Sequence, residues 1–279
     1  MQRRLLITGG TGYLGAELVR QALTAGWDVA ATAFSRRRNA EAARYLYLDV
    51  RDERAVEQAF DALRPNAVVH TAYRQAGPDL WATTAEGAAV VARAAQRIGA
   101  KLIHMSSDAI FDGERSGSYT EEALPEPITP YGHAKAAAER MVAERHPTAL
   151  IARTSLIYGG ATLSTHEQLV LDAADGQAEV AFFTDELRCP VLVSDLAAAL
   201  LELLALERSG PIHLAGADVV SRYAFAQLVA RAHGRSLDHL RAARSSAQAV
   251  RRARNCALDC RLAQSLLQTR LRGVREVLR

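Results

Sequence analysis

The sequence predicts an α/β fold built on a doubly wound parallel sheet, with a smaller C-terminal lobe. Three observations carry that prediction. Short apolar runs alternate with helical stretches through the first half of the chain, the pattern of a parallel sheet with helices on both faces. A glycine-rich stretch, Thr8-Gly9-Gly10-Thr11-Gly12-Tyr13-Leu14-Gly15, lies where the first strand should turn into the first helix. After Gly159 the alternation loosens into shorter segments.

In chain order, strands are expected at Arg4–Thr8, Val29–Phe34, Tyr45–Leu48, Ala67–Thr71, Lys101–Ser106 and Ala149–Thr154, separated by helices over Leu14–Ala25, Glu53–Leu63, Leu80–Ile98 and Tyr131–Glu144. Beyond Gly159, Glu179–Phe183 and Ile212–Leu214 read as short strands, and Val193–Leu206, Arg222–Ala232 and Leu258–Leu267 as helices. The expected division is a dinucleotide-binding domain over 1–158 and a lobe drawn mainly from 159–279, some segments of which could return to the first domain; the lobe would cover the sheet ends where open α/β folds bind ligands.

With 279 residues, 49% hydrophobic and 23% charged, the chain can bury a large core, and its composition is that of an ordinary globular protein. No apolar run approaches the roughly 20 residues that cross a membrane, and glycines 9 and 10 end the first apolar run too early for a signal segment. Cys189, Cys256 and Cys260 show no zinc-ligand spacing, and reduced thiols in the cytoplasm are expected. No metal is expected. The net charge of +3 conceals ten arginines against Asp259 and Glu276 between Arg241 and Arg279. No nucleic-acid recognition motif or aromatic platform accompanies them, so a solvated helical surface or an anionic small substrate is preferred to nucleic acid.

Gly9, Gly12 and Gly15 permit a tight turn and close approach of a pyrophosphate to a helix N-terminus, where free N–H groups favour anions. Thr11, Tyr13 and Leu14 share that Rossmann-type turn. A cofactor with a free 2′-hydroxyl would meet an acidic residue about 20 positions on. This chain instead runs Phe34-Ser35-Arg36-Arg37-Arg38, and arginines suit a 2′-phosphate. NADPH is therefore favoured over NAD. Asp49-Val50 follows a strand and would edge the adenine, and Thr71-Ala72-Tyr73 ends the next strand on the same side.

Two further motifs carry chemistry. In Tyr131-Gly132-His133-Ala134-Lys135, residues four apart share one helix face, so the phenol and the ammonium point into one site. A nearby cation favours phenolate and tunes Tyr131 for proton exchange near neutral pH. Ser106-Ser107-Asp108 closes a strand, and the Ser107 hydroxyl can donate to a substrate carbonyl as negative charge develops on it.

With these motifs in view, the chain resembles an extended short-chain dehydrogenase/reductase, and most of all the dTDP-4-dehydrorhamnose reductase group. The matching stretches are Thr8–Gly15, His104–Gly113, Pro130–Lys135, Arg153–Gly159, Arg188-Cys189-Pro190 through Asp195-Leu196-Ala197, and Asn255–Asp259, spanning nearly the whole chain. The resemblance implies Ser107, Tyr131 and Lys135 as catalytic residues and a C-terminal part that binds a nucleotide sugar. Ser107, Asp108, Ala109 and Leu156 would lie near the sugar, with Arg188 and Arg252 as candidates for its diphosphate. It implies reduction of a nucleotide-activated 4-keto sugar.

The chain departs from the group at three places: Ala109 where tyrosine is usual, Leu156 where tryptophan is usual, and Thr84 where an asparagine is common. The sugar's identity is therefore left open. Ser107-Asp108-Ala109 lacks the glutamate of sugar-nucleotide dehydratases, which argues against dehydration. A nucleotide-sugar epimerase would use the same residues with tightly held NAD, against which the arginine run speaks. A second resemblance, to the β subunit of methionine adenosyltransferase, is carried by Ala33–Arg38 and Ser106–Gly113 and implies an NADP-binding regulatory subunit. His166-Glu167 begins like a zinc-protease helix, but Val170 stands where the second histidine is needed. Such folds often pair through helices, so a homodimer is one expectation.

Overall fold

In the computed structural model, which describes residues 3–34, 43–247 and 251–279, the apolar runs of the first half become parallel strands. The order is β1 (Arg4–Thr8), α1 (Tyr13–Thr24), β2 (Asp28–Ala33), β3 (Arg44–Tyr47), α2 (Glu53–Leu63), β4 (Ala67–His70), a π-helical turn (Ala82–Glu86) running into α3 (Gly87–Ile98), β5 (Lys101–Ser107), α4 (Pro130–Arg145) and β6 (Leu150–Thr154). There follow β7 (Ile157–Tyr158), α5 (Thr165–Ala174), β8 (Ala181–Phe183), β9 (Leu187–Arg188), β10 (Val191–Leu192), α6 (Val193–Leu203), β11 (Gly210–Leu214), β12 (Val220–Ser221), α7 (Arg222–Ala232), β13 (Arg241–Ala243), α8 (Arg261–Leu266) and α9 (Val274–Val277).

The main sheet has seven strands in the order β11-β6-β5-β4-β1-β2-β3. β1 pairs in parallel with β2 on one side and β4 on the other, so Leu5 stands opposite both Val29 and Ala67. The strand order reverses there, which is where open α/β sheets bind ligands. Every residue of β4 is buried, as central parallel strands require. On one face, Leu6, Val68 and Leu102 pack with Val56 and Phe60 of α2, Val91 and Ala95 of α3, and Val142 of α4. Asp52 caps α2 by accepting the Ala55 N–H at 3.0 Å.

Two expected segments differ. Ile212–Leu214, expected in the lobe, belongs to β11 at the edge of the main sheet, a pairing across the chain that local pattern does not encode. The expected helix Leu258–Leu267 begins only at Arg261. Its first residues are held in extended pairing, with Leu258 bridged to Tyr119 and the Asp259 N–H donating to the Tyr119 carbonyl at 2.8 Å.

The chain divides into two compact units, each drawn from three stretches. The first takes residues up to Ser107, Pro130–Ala152 and Ala197–Ile212; the second takes Asp108–Thr129, Arg153–Leu196 and His213–Arg279. In the second, Tyr158, Phe182, Phe225 and Val229 centre a core between α5 and α7. α5 opens with a capping box between Ser164 and Glu167. Among the described residues, no helix is long and apolar enough to cross a membrane.

Candidate active site

In the first unit, the glycine turn is shaped by close approach. Gly9 has φ +70°, and a Cβ there would sit 2.9 Å from the Ala72 nitrogen and 3.0 Å from Thr71 Oγ1. Only glycine combines that conformation with that clearance. Thr71 reinforces the turn by donating from Oγ1 to the Thr8 carbonyl at 2.7 Å. Gly12 is the N-cap of α1 and brings no side-chain cap, and the first turn holds no acidic residue. The N-terminus of α1, where Tyr13 and Leu14 begin the helix, thus has the character that favours an anion. A Cβ on Gly15 would overlap the Gly9 carbonyl. The cradle, with Thr11 between its glycines, fits a dinucleotide pyrophosphate.

At the end of β2, Phe34 is 39% exposed and stacks on Tyr47, with ring centroids 5.8 Å apart. The Arg51 and Arg74 guanidinium carbons lie 5.4 and 5.9 Å from the Phe34 ring centre. Sequence reading did not single out these two arginines, which reach one ring from separate loops. Ser35, Arg36 and Arg37 lie outside the described residues. Asp49 is engaged by Arg51, with Nε at 3.0 Å and Nη2 at 2.7 Å, and these bonds hold its carboxyl below the usual range. Val50 is buried against Gly87, where a Cβ would come within 2.8 Å of its Cγ2.

Thr84, in the π-helical turn, accepts from the Arg74 N–H at 2.9 Å and donates to the Arg74 carbonyl at 2.8 Å. It thereby pins the segment that carries Tyr73. The Tyr73 ring centre is 5.8 Å from that of Tyr131 and 5.0 Å from Lys135 Nζ. Tyr131 and Lys135 stand one turn apart on α4, as their spacing predicts. Lys135 is 3% exposed, and its Nζ donates to the Met105 carbonyl at 2.8 Å. Burial lowers its pKa to about 8, against an opposing pull from Glu139. Ser107, half-buried, ends β5 two residues beyond that carbonyl. One compact unit therefore holds the glycine cradle, Thr71–Tyr73, Ser107, Tyr131 and Lys135.

The second unit holds the remaining candidates. Asp108 opens a short 3-10 turn with Ala109, is buried, and accepts from Ser155 Oγ at 2.6 Å. Arg188 Nε lies 3.7 Å from the same carboxylate. The other Arg188 donors go to backbone: Nη1 to Leu187 O at 2.8 Å and Arg254 O at 3.2 Å, Nη2 to Ala253 O at 2.9 Å. Arg188 thus clamps the 253–254 segment. Gly113 meets that segment from the other side, since with φ +77° its Cβ would come within 2.5 Å of the Arg254 nitrogen. Arg252 pairs with the buried Glu186 and lies 4.7 Å over the Phe183 ring. Leu156 packs at the edge of the lobe core.

The model of one family, described as the RmlD substrate binding domain, matches residues 3–279. The chain belongs to that family. Among its relatives, the dTDP-4-dehydrorhamnose reductase of Mycobacterium tuberculosis (strain H37Rv) is 33% identical over 241 residues, covering 81% of this chain and 74% of that protein. Methionine adenosyltransferase 2 subunit beta of Rattus norvegicus is 30% identical over 285 residues, covering 95% and 82%. Among solved structures, the dTDP-4-dehydrorhamnose reductase of Bacillus anthracis in complex with NADP superposes with a TM-score of 0.86 over 100% of this chain and 98% of that one, at 24% identity. This RmlD-family chain thus has the Rossmann-type fold that its strand and glycine patterns predict.

Proposed function

We propose that the protein is an NADPH-dependent reductase of a nucleotide-activated 4-keto sugar. Tyr131 is the proton donor, Lys135 its tuner and ribose anchor, and Ser107 the hydroxyl that polarises the carbonyl. One observation carries the reading: Lys135 is buried one helical turn from Tyr131, on the unit that also holds the glycine cradle. A bound nicotinamide of this kind supplies hydride.

The protein's own residues supply the rest. The Lys135 charge favours phenolate, so the Tyr131 hydroxyl gives up its proton readily to an oxygen that is gaining charge. The Ser107 hydroxyl donates to that oxygen and stabilises it as charge accumulates. The α1 N-terminus at Gly12 favours the pyrophosphate. Arg51 and Arg74 beside Phe34 add cations where a 2′-phosphate would be met, consistent with Ser35, Arg36 and Arg37 in sequence. The NADP named with the Bacillus anthracis structure supports the same cofactor. In the second unit, Arg252 is the cation for the substrate diphosphate and Arg188 holds its segment in place, with Asp108, Ala109 and Leu156 toward the sugar.

A second reading, a subunit that binds NADP and regulates another enzyme, is favoured by the 30% identity to methionine adenosyltransferase 2 subunit beta over 95% of this chain. A panel of nucleotide keto-sugars incubated with NADPH separates the two. Substrate-dependent NADPH loss in the wild type, abolished in Tyr131→Phe, supports the reductase; NADPH binding without loss on any substrate supports the subunit.

A further inference from the structure

On the face of the sheet where Leu6, Val68 and Leu102 enter the core, alternation along the strands brings Thr8, His70, His104 and Ser106 to the same side. The register sets Thr8 beside His70 and His70 beside His104, so a polar row crosses β1, β4 and β5 just beyond the apolar layer. All four side chains are at most 3% exposed. Thr8 Oγ1 and His70 Nδ1 are 2.6 Å apart, and the two imidazoles stack with centroids 5.4 Å apart at 24°.

Lys135 reaches this row from α4, because the carbonyl that it binds belongs to Met105, the residue between His104 and Ser106. Burial, with the Lys135 charge nearby, keeps both histidines neutral, His70 at a pKa of about 3. A neutral imidazole carries one donor and one acceptor nitrogen. Yet His70 Nε2, both ring nitrogens of His104 and Ser106 Oγ have no partner in the protein. Buried polar atoms are nearly always hydrogen-bonded, because leaving one unpaired forfeits its solvation with nothing in return. Four together, beside an ammonium with donors to spare, describe a site for ordered water, which typically makes about three such bonds.

We propose that His70 and His104 are positioning residues for Lys135: a water shared with Ser106 accepts one ammonium N–H and donates to an imidazole nitrogen. The Met105 carbonyl takes a second N–H, which aims the third at the cofactor ribose. The idea rests on reading Lys135 as the cofactor-anchoring lysine. It requires no turnover.

The test measures NADPH affinity by fluorescence titration in the wild type, His104→Leu and His104→Gln. Removing the acceptor weakens binding about fivefold to tenfold in His104→Leu, the scale of one hydrogen bond. In His104→Gln the side-chain amide oxygen is again an acceptor and restores affinity to within about twofold, which a purely packing role would not do. Equal affinity in wild type and His104→Leu, or no rescue by glutamine, overturns the proposal. A second measurement stands if a variant fails to fold or the wild type does not bind NADPH. In 15N spectra of labelled histidine, the unprotonated His104 nitrogen has the shift of a hydrogen-bonded acceptor in wild type and of a free acceptor in Lys135→Met. A free-acceptor shift in the wild type overturns the proposal, whereas failure of NADPH binding or turnover with that signature intact counts against the reductase reading alone.

Discussion

The Nζ of Lys135 donates to the main-chain carbonyl of Met105 at 2.8 Å, so the one lysine on α4 is tied to the strand that ends in Ser107. A charge held in so little solvent has a measurable consequence. With a folded pKa of about 8 and an ordinary value of 10.5, the unfolded chain binds more protons between those values, and stability contributed by this group rises with pH across that window. Comparing urea denaturation of wild type and Lys135→Met without cofactor should show the wild type gaining on the variant from about pH 8 to 10.5, by on the order of 3 kcal/mol. A gap that does not change with pH would refute the depressed pKa.

Arg188 is expected to act on stability before it acts on any ligand. Its guanidinium bridges the Leu187, Ala253 and Arg254 carbonyls and faces Asp108, a geometry that a lysine cannot reproduce. Arg188→Lys should therefore destabilise the protein by about 2–4 kcal/mol in chemical denaturation. Arg252→Lys, at a half-exposed site with one carboxylate partner, should cost less than half as much.

Gly113→Ala tests the same segment from the other side. The added methyl meets the Arg254 backbone at 2.5 Å in a conformation with φ +77°, so neither the loop nor the side chain can yield cheaply. A loss of about 2 kcal/mol or more is expected. Gly117→Ala in the same loop meets nothing within 4 Å and serves as the control.

The three cysteines should be unreactive in the native state. Cys189, Cys256 and Cys260 are buried, and burial pushes their thiols up to about 11, 12 and 12. A thiol reagent at about pH 7.5, below the ordinary thiol pKa, should label none of them quickly and all three in denaturant. Rapid native labelling of any one would show that its surroundings open.

Features with a fixed spacing were the legible ones. The glycine turn and the Tyr131–Lys135 pair are set by the chain within one turn of helix, and the structure places them at the strand order reversal and on one helical face. Features made by distant pairing were not. Gly210–Leu214 shows only a short apolar run, and its place in the main sheet comes from β6. Arg51 and Arg74 are 23 residues apart in sequence and meet at Phe34 only through folding. Arg188 reads as a free cation in sequence because nothing local reveals that three carbonyls take its donors.

The most direct test of the central claim follows the hydride itself. With NADPH carrying deuterium at the transferable position and a nucleotide 4-keto sugar, mass spectrometry of the wild-type product should find one deuterium on the former carbonyl carbon. In Tyr131→Phe the rate of that transfer should fall about 100-fold or more. Transfer that continues undiminished in Tyr131→Phe, or a wild-type product with no deuterium on that carbon, would contradict the assignment.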